Sequence, residues 1–566
     1  MGTNALIDTS WIQLSVPDKS CSDTSHADEK SPTPRVRRSA TPRDALLMAH
    51  ESGVDLDLSL PAYALSAQYR FLASLIPSIL RECEPDDTMR RRHNPAPHLL
   101  RHGLPEDAVD RGLATLQRGA NLFDATQPFM QRPPVPPSGP KDTARALGPG
   151  QQPVKKLSPA MPSDAGEDFW HLSVAQPGRL PVEEATLALV IYHYFSMAGN
   201  NAYDGDKCAM GAPGFRYPGK GFAATEIFWR GDSLLKTLLF SVPRTWVEGT
   251  GLPAWADRTG ALSTNPSEGT EHPLWRATWS SNTVAAAWEG TDLVGARTGG
   301  IPEEWYVPSM GQDKQSRKNW WDQRNTEDPF YLYLPNQNGE LKAQRLDFGR
   351  DAVDLAVEWV AEGKVEAAAA SASDRLDLPE RITPSFARHQ VEGTASSPSI
   401  RASQIFEPSE DQWTFGFDDE TQIAVIGHAG LIRQLHGIVC APFRRRNAGD
   451  AKREAQGHGA VVFDNLEARR GDASTAFWRH ITPVYEEFIR EGSGEQHFIP
   501  DATVLKAQQA CMAAFDEILA PHREQMPGRA AFVRSRIQRR VLWTIRTFIG
   551  NDDETDDPHE MEREER

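Results

Sequence analysis

Asp347-Phe348-Gly349 is the tripeptide with which protein kinases hold a metal ion, so phosphoryl transfer is the first chemistry to test against this chain. The other parts do not accompany it. No glycine-rich nucleotide loop, VAIK strand or HRD loop stands in the required order, and no Walker A sequence occurs. Glu491-Gly492-Ser493-Gly494 lacks the full GxSxG elbow of a serine hydrolase. His428, His436, His458 and His480 lie scattered along helical sequence without HExxH spacing, and read as ordinary histidines of a helical bundle. Cys21, Cys83, Cys208, Cys440 and Cys511 are far apart and form no CxxC pair. Neither a zinc site nor a disulfide framework is expected, and a reducing cytoplasm fits them best. The expectation is a protein without catalytic residues, metal or cofactor.

What remains are loops shaped by glycine and proline that carry Lys, Arg, Asn and Ser. Loops on a rigid scaffold are where recognition sits, and glycine lets a backbone approach a groove because no Cβ stands in the way. The formal net charge of -17 speaks against a polyanion partner when taken alone, since phosphate contacts need Lys and Arg. Much of that excess lies in Asn551-Asp552-Asp553-Glu554-Thr555-Asp556-Asp557 and the closing EMEREER, read as a solvated, disordered tail. Basic clusters stand elsewhere, at Arg90-Arg91-Arg92, at Arg444-Arg445-Arg446, and at Arg534, Arg536, Arg539, Arg540 and Arg546. A nucleic-acid face inside an acidic protein therefore stays open.

These loops must be positioned by more than one core, because 566 residues exceed a single ordinary domain. With 39% hydrophobic and 25% charged residues the composition is globular. No apolar run approaches the roughly 18 residues of a membrane helix, and no secretory signal is expected at the N-terminus. Residues 1–16 read as a short strand pair, 17–41 and 132–165 as disordered or loop inserts, and Leu60 to Leu80 as a buried helix. Pro181, Glu183 and Glu184 open a core helix. Phe330 to Leu334 reads as a strand, and Asp351 to Ala370 as a helix. A strand from Phe386 to Val391 enters a turn over Gly393 to Ser399, giving a hairpin with an extended tip. Val533, Ile537, Val541, Ile545 and Ile549 recur every four residues, as in an amphipathic bundle helix.

Several short segments, taken in order, resemble the CasA family, the large subunit of the type I-E CRISPR surveillance complex Cascade. They are Leu6-Ile7-Asp8 with Trp11-Ile12, Gln127-Pro128-Phe129-Met130-Gln131, Gln176-Pro177-Gly178, Ala212-Pro213-Gly214-Phe215 and Trp229-Arg230-Gly231. Leu274-Trp275 with Thr278-Trp279, His389-Gln390-Val391-Glu392-Gly393 and Phe477-Trp478-Arg479 continue the series. The resemblance runs over roughly residues 5–490.

It implies an α+β protein with a large mixed α/β N-terminal domain, residues 1–415, a C-terminal four-helix bundle, 416–550, and the acidic tail, 551–566. It implies a non-catalytic subunit that reads the protospacer-adjacent motif through the minor groove, helps start R-loop formation and docks a helicase–nuclease. The partners implied are the other Cascade subunits, the CRISPR guide RNA and target double-stranded DNA, with no membrane. The resemblance further implies the three devices with which that family reads DNA, placed here by order and spacing: a glycine loop on Gly214, Phe215 and Gly219, and a lysine finger on Lys314 or Lys318. A wedge falls on the hairpin tip with Thr394, Ser396 and Ser397, where the best-known wedge carries an Asn-Gln pair. Gln176 and Gly178 fall on a loop near guide or DNA, and Arg534, Arg536, Arg539 and Arg540 are candidates for DNA backbone or subunit contact. Some members carry a zinc-binding cysteine cluster that this chain lacks. A stand-alone enzyme with an unfamiliar site, or a protein–protein scaffold without DNA contact, are the competing readings.

Overall fold

The computed structural model describes residues 3–18, 34–83, 97–133, 154–160, 178–196, 210–216, 221–345 without 266 and 268, 354, 357, 359, 384–394, 397–407, 419–443, 452, 469–492 and 500–548. The chain divides into two compact units, one of residues 1–345 and 367–407, the other of 346–366 and 408–566.

The first unit is built around helix Ala62–Glu82, which is buried on nearly every side from Ala62 to Leu80. Helices Glu106–Ala114, Val182–Phe195 and Leu234–Ser241 pack on it. Phe71 on this helix stacks among Trp11, Phe129 and Trp255 at centroid distances of 4.9, 5.8 and 5.5 Å. The family-like segments around Trp11 and Phe129 are thus core segments, because large rings bury the most apolar area per residue. The expectation for this helix, Leu60 to Leu80, is met within two residues.

Among the described residues five sheets form in this unit, three of which carry the longer strands. Ile12–Pro17 pairs antiparallel with Arg35–Ala40 on one side and Asp55–Leu56 on the other. This corrects the sequence reading twice, since 1–16 is not a strand pair by itself and residues 35–40 of the supposed insert form a strand. Arg35–Ala40 is exposed except for Ala40, and its three arginines are edge-strand chemistry rather than disorder chemistry. Asn282–Glu289 and Asp292–Gly300 form a second hairpin. The third is the long hairpin Pro384–Thr394 with Ser397–Phe406, whose first strand also pairs with Gly221–Phe222 and Glu226–Trp229. Its ladder runs to Thr394 opposite Ser397, so the expected tip of 393–399 shrinks to a two-residue connection. Within 132–165, Val154–Leu157 is a 3-10 turn with Val154 and Leu157 buried, and the Ile400 amide donates to the Pro159 carbonyl at 2.8 Å. Phe330 and Tyr331 are core residues, and the strand begins only at Tyr333.

The second unit is a four-helix bundle of Asp419–Cys440, Arg470–Gly492, Asp501–Gln525 and Pro527–Phe548. Its core includes Leu435, Phe477, Phe515 and Val541, together with Val357 from the 346–366 segment. Arg433 reaches Asp354 of that segment at 2.8 Å. The two units divide at 407/408, and 346–366 belongs with the bundle. The stretch Ile423–Phe443 is long and apolar enough to cross a membrane by composition, although no such run stood out in the sequence. Half of it is buried inside the bundle. The acidic tail and Ile549 lie outside the described residues.

Candidate nucleic-acid interface

Arg70 sits halfway along the most buried helix of the first unit, where an arginine needs partners of its own. Its Nε donates to Glu226 Oε1 at 2.6 Å, and its Nη1 to both oxygens of Asp328 at 3.0 and 3.2 Å. Ser66 donates to the same Glu226 oxygen at 2.7 Å. Arg216 reaches Asp328 at 3.3 Å, and His389 Nε2 lies 3.6 Å from Glu226 Oε2. Arg70, Glu226, Asp328 and His389 are each at most 3% exposed. Burial alone would push the Arg70 guanidinium down, but Asp328 and Glu226 hold it above its ordinary value. Burial would likewise raise the Asp328 carboxyl, yet Arg70, Arg216 and Arg324 hold it below the usual carboxylate range. The cluster is a charged clamp closed to solvent.

The clamp ties down the roots of all three segments expected to read DNA. Arg216 ends the described part of the glycine loop, 210–216, and also donates to the Ala212 carbonyl at 3.0 Å. Arg216 lies over the ring of Trp321, 5.2 Å away, and Trp321 belongs to helix Lys314–Thr326. Asp328 follows that helix directly. His389 belongs to the long hairpin and hydrogen-bonds with Ser403 Oγ across it at 2.9 Å. Ala387 of the same hairpin strand pairs with Glu226, so loop, helix and hairpin share one base.

Gly214 proves to be an anchor. It is buried, its N–H donates to the Tyr194 carbonyl at 2.8 Å, and its carbonyl accepts from the Tyr331 hydroxyl at 2.8 Å. A Cβ there would stand 2.9 Å from the Tyr194 oxygen and 3.2 Å from the Arg70 side chain. The glycine is required by packing, which leaves its N–H no open face for a base edge. Phe215 beside it is half-buried, and Gly219 lies outside the described residues.

Lys314 and Lys318 are not on a loop. They lie one turn apart on helix Lys314–Thr326, both exposed. Lys318 is ion-paired with Asp322, whereas no ion pair holds Lys314 among the described residues. Lys314 is the first helical residue, and Asp313 before it caps the Gln315 and Ser316 amides at 2.9 and 3.0 Å. Gly311, with φ +70, makes the turn into this cap, and a Cβ there would meet Ser316 Cβ at 2.6 Å. Thr394 and Ser397 close the hairpin ladder, and Ser396 lies outside the described residues. Gly178 is exposed with open space around it just before helix Val182–Phe195, and Gln176 lies outside the described residues.

The four bundle arginines have different surroundings. Arg534 holds Asp516 of the preceding helix with two bonds of 2.7 and 2.8 Å. Arg536 lies over the ring of Phe532 at 5.8 Å. Arg539 and Arg540 are exposed. Sequence reading missed Arg70, Glu226 and Asp328. The available signal was a charge in the middle of an apolar helix and a glutamate opening the apolar strand Glu226–Trp229. Among the described residues no group of three or more His, Cys, Asp or Glu could hold a metal ion.

The family model of CRISPR-associated protein Cse1 matches residues 30–353. No curated protein sequence matches the chain. The fold is similar to Cse1 of Thermobifida fusca (TM-score 0.60, 14% identity, 97% of this chain and 98% of that one). It is also similar to CasA of Thermus thermophilus (0.57, 15%, 97% and 100%) and to Cse1 of Acidimicrobium ferrooxidans (0.57, 16%, 97% and 99%). A further match is a chain of a structure titled CRISPR RNA-guided surveillance complex, at 17% identity and a TM-score of 0.57. With more than half its length matched by the family model and a fold shared over nearly all of it, this chain belongs to the CRISPR-associated Cse1 family, also called CasA, the large subunit of Cascade.

Proposed function

We propose that this chain works within an RNA-guided surveillance complex as the subunit that reads the protospacer-adjacent motif, starts duplex opening and docks the helicase–nuclease. The supporting observation is the common base: loop 210–216, helix Lys314–Thr326 and the hairpin all rest on the buried Arg70–Glu226–Asp328 cluster. Three reading elements on one rigid base keep a fixed spacing, which a short duplex motif requires, while guide pairing reads the rest. Lys314 is the lysine finger of this reading, since its ammonium is exposed and Lys318 is engaged by Asp322. The minor groove offers acceptors to such an ammonium in a degenerate pattern, which allows permissive motif choice. Gly219 and Phe215 supply the remaining loop contacts, and Ser396 and Ser397 the wedge. The protein is not an enzyme in this reading and acts in the cytoplasm.

The test is target-duplex binding by the guide-loaded complex assembled with and without this chain, scanned over every motif at the protospacer edge. Motif-dependent binding and nuclease recruitment that require the chain are expected. Lys314→Ala weakens binding and lowers the slope of log K against log salt by about one, and Lys318→Ala changes it less. Binding that is the same without the chain overturns the proposal and reopens the search for an independent activity.

A further inference from the structure

The last bundle helix, Pro527–Phe548, contains six arginines and no carboxylate, in a chain whose net charge is -17. Its buried side carries Val533, Ile537, Val541 and Ile545. Phe532, Arg536, Arg539, Trp543 and Arg546, at spacings of three and four, share the opposite side. Phe532 is 46% and Trp543 44% exposed, so two aromatic rings stand in water between arginines. No ion pair holds Arg539 or Arg546 among the described residues. The stripe from Phe532 to Arg546 is about 21 Å long at 1.5 Å per residue. A face that is both cationic and aromatic suits a partner of opposite charge.

A segment of that charge is covalently attached to the helix. Residues 551–566, which begin three positions after the helix ends, hold nine acidic and two basic residues. Gly550 and Asn551 at the junction are the residue types that reverse a chain after a helix. Eighteen residues beyond Phe548 can span about 60 Å when extended, far more than the stripe requires. Tethering gives the tail an effective concentration of about millimolar at this face, so even weak ionic contacts fill it. We propose that the acidic tail lies along the Phe532–Arg546 face of its own bundle and shields that face from other polyanions. This does not depend on the DNA-reading role of the first unit.

Fluorescently labelled peptide 551–566 is titrated into the complete chain and into a chain ending at Gly550, with anisotropy as the readout. The peptide is expected to bind the shortened chain about tenfold tighter than the complete one, because the resident tail competes, and to be released by salt. Arg539→Glu with Arg546→Glu in the shortened chain abolishes that binding, with unchanged helical circular dichroism. Equal binding to the complete and shortened chains, or binding indifferent to the two reversals, overturns the proposal. A labelled oligothymidylate serves as the competing occupant. Asp552→Asn, Asp553→Asn, Glu554→Gln, Asp556→Asn and Asp557→Asn in the complete chain are expected to raise its affinity several-fold. An unchanged affinity refutes the shielding, and failure of both probes assigns the face to a protein partner instead.

Discussion

Asp328 accepts from two guanidiniums, and its removal shows what a buried charge costs. Asp328→Asn leaves Arg70 and Arg216 short of a counter-charge in a closed interior. We expect a loss of about 3–5 kcal/mol, measured by urea unfolding, whereas an exposed pair such as Lys318–Asp322 contributes at most about 1 kcal/mol. His193 gives the acid sensitivity of the same unit. Its Nε2 lies 2.9 Å from the Thr278 carbonyl, and burial, with help from the Arg258 and Arg324 charges, pushes its pKa down to about 3. The unfolded chain takes up this proton near pH 6.5 and the folded one does not, so the neutral ring's contribution is complete above pH 6.5 and is lost as pH falls toward 3. Unfolding midpoints at pH 7 and pH 5 should differ by less in His193→Gln than in the parent chain.

At the level of elements, the helix that presents Lys314 depends on its start. Gly311 turns the chain with φ +70, and Asp313 caps the first turn. Gly311→Ala combines a strained backbone with a Cβ clash against Ser316 and should cost about 1–3 kcal/mol. Under the proposed function it should also weaken target-duplex binding with Lys314 itself intact. Asp313→Ala should lower the melting temperature through loss of the cap. Thermal unfolding and duplex titration of both variants separate local strain from the loss of a DNA contact. The hairpin shows how element boundaries escape a linear reading. Gly393 and Pro398 look like turn residues in sequence, yet they face each other in the ladder. Pro398 lies on the edge strand of its sheet, the place in a sheet where proline is found.

For the molecule as a whole, the chain enters the bundle unit twice, at 346–366 and again from 408. Val357 is buried among bundle side chains and Asp354 is held by Arg433. Val357→Asp, far from the bundle helices in sequence, should therefore lower bundle stability by about 2–4 kcal/mol. The loss of helical circular dichroism on heating is the measurement, and an unchanged melting temperature would place 346–366 outside the bundle.

Sequence alone determined the features that depend on local periodicity or on residue types in order. The central helix, the four-residue stripe of Val533 to Ile545, the absence of nucleotide-binding and hydrolase motifs, and the family's ordered short segments are of this kind. Tertiary structure decided what depends on distant partners. Residues 35–40 are a strand only because Ile12–Pro17 offers a ladder. Gly214 is an anchor only because Tyr194 and Tyr331 close around it. Arg534 differs from Arg539 through Asp516 on the preceding helix. The Arg70–Glu226–Asp328 clamp joins residues 156 and 258 positions apart. No local pattern encodes such a pairing, because the free energy that fixes it comes from burying the charges together.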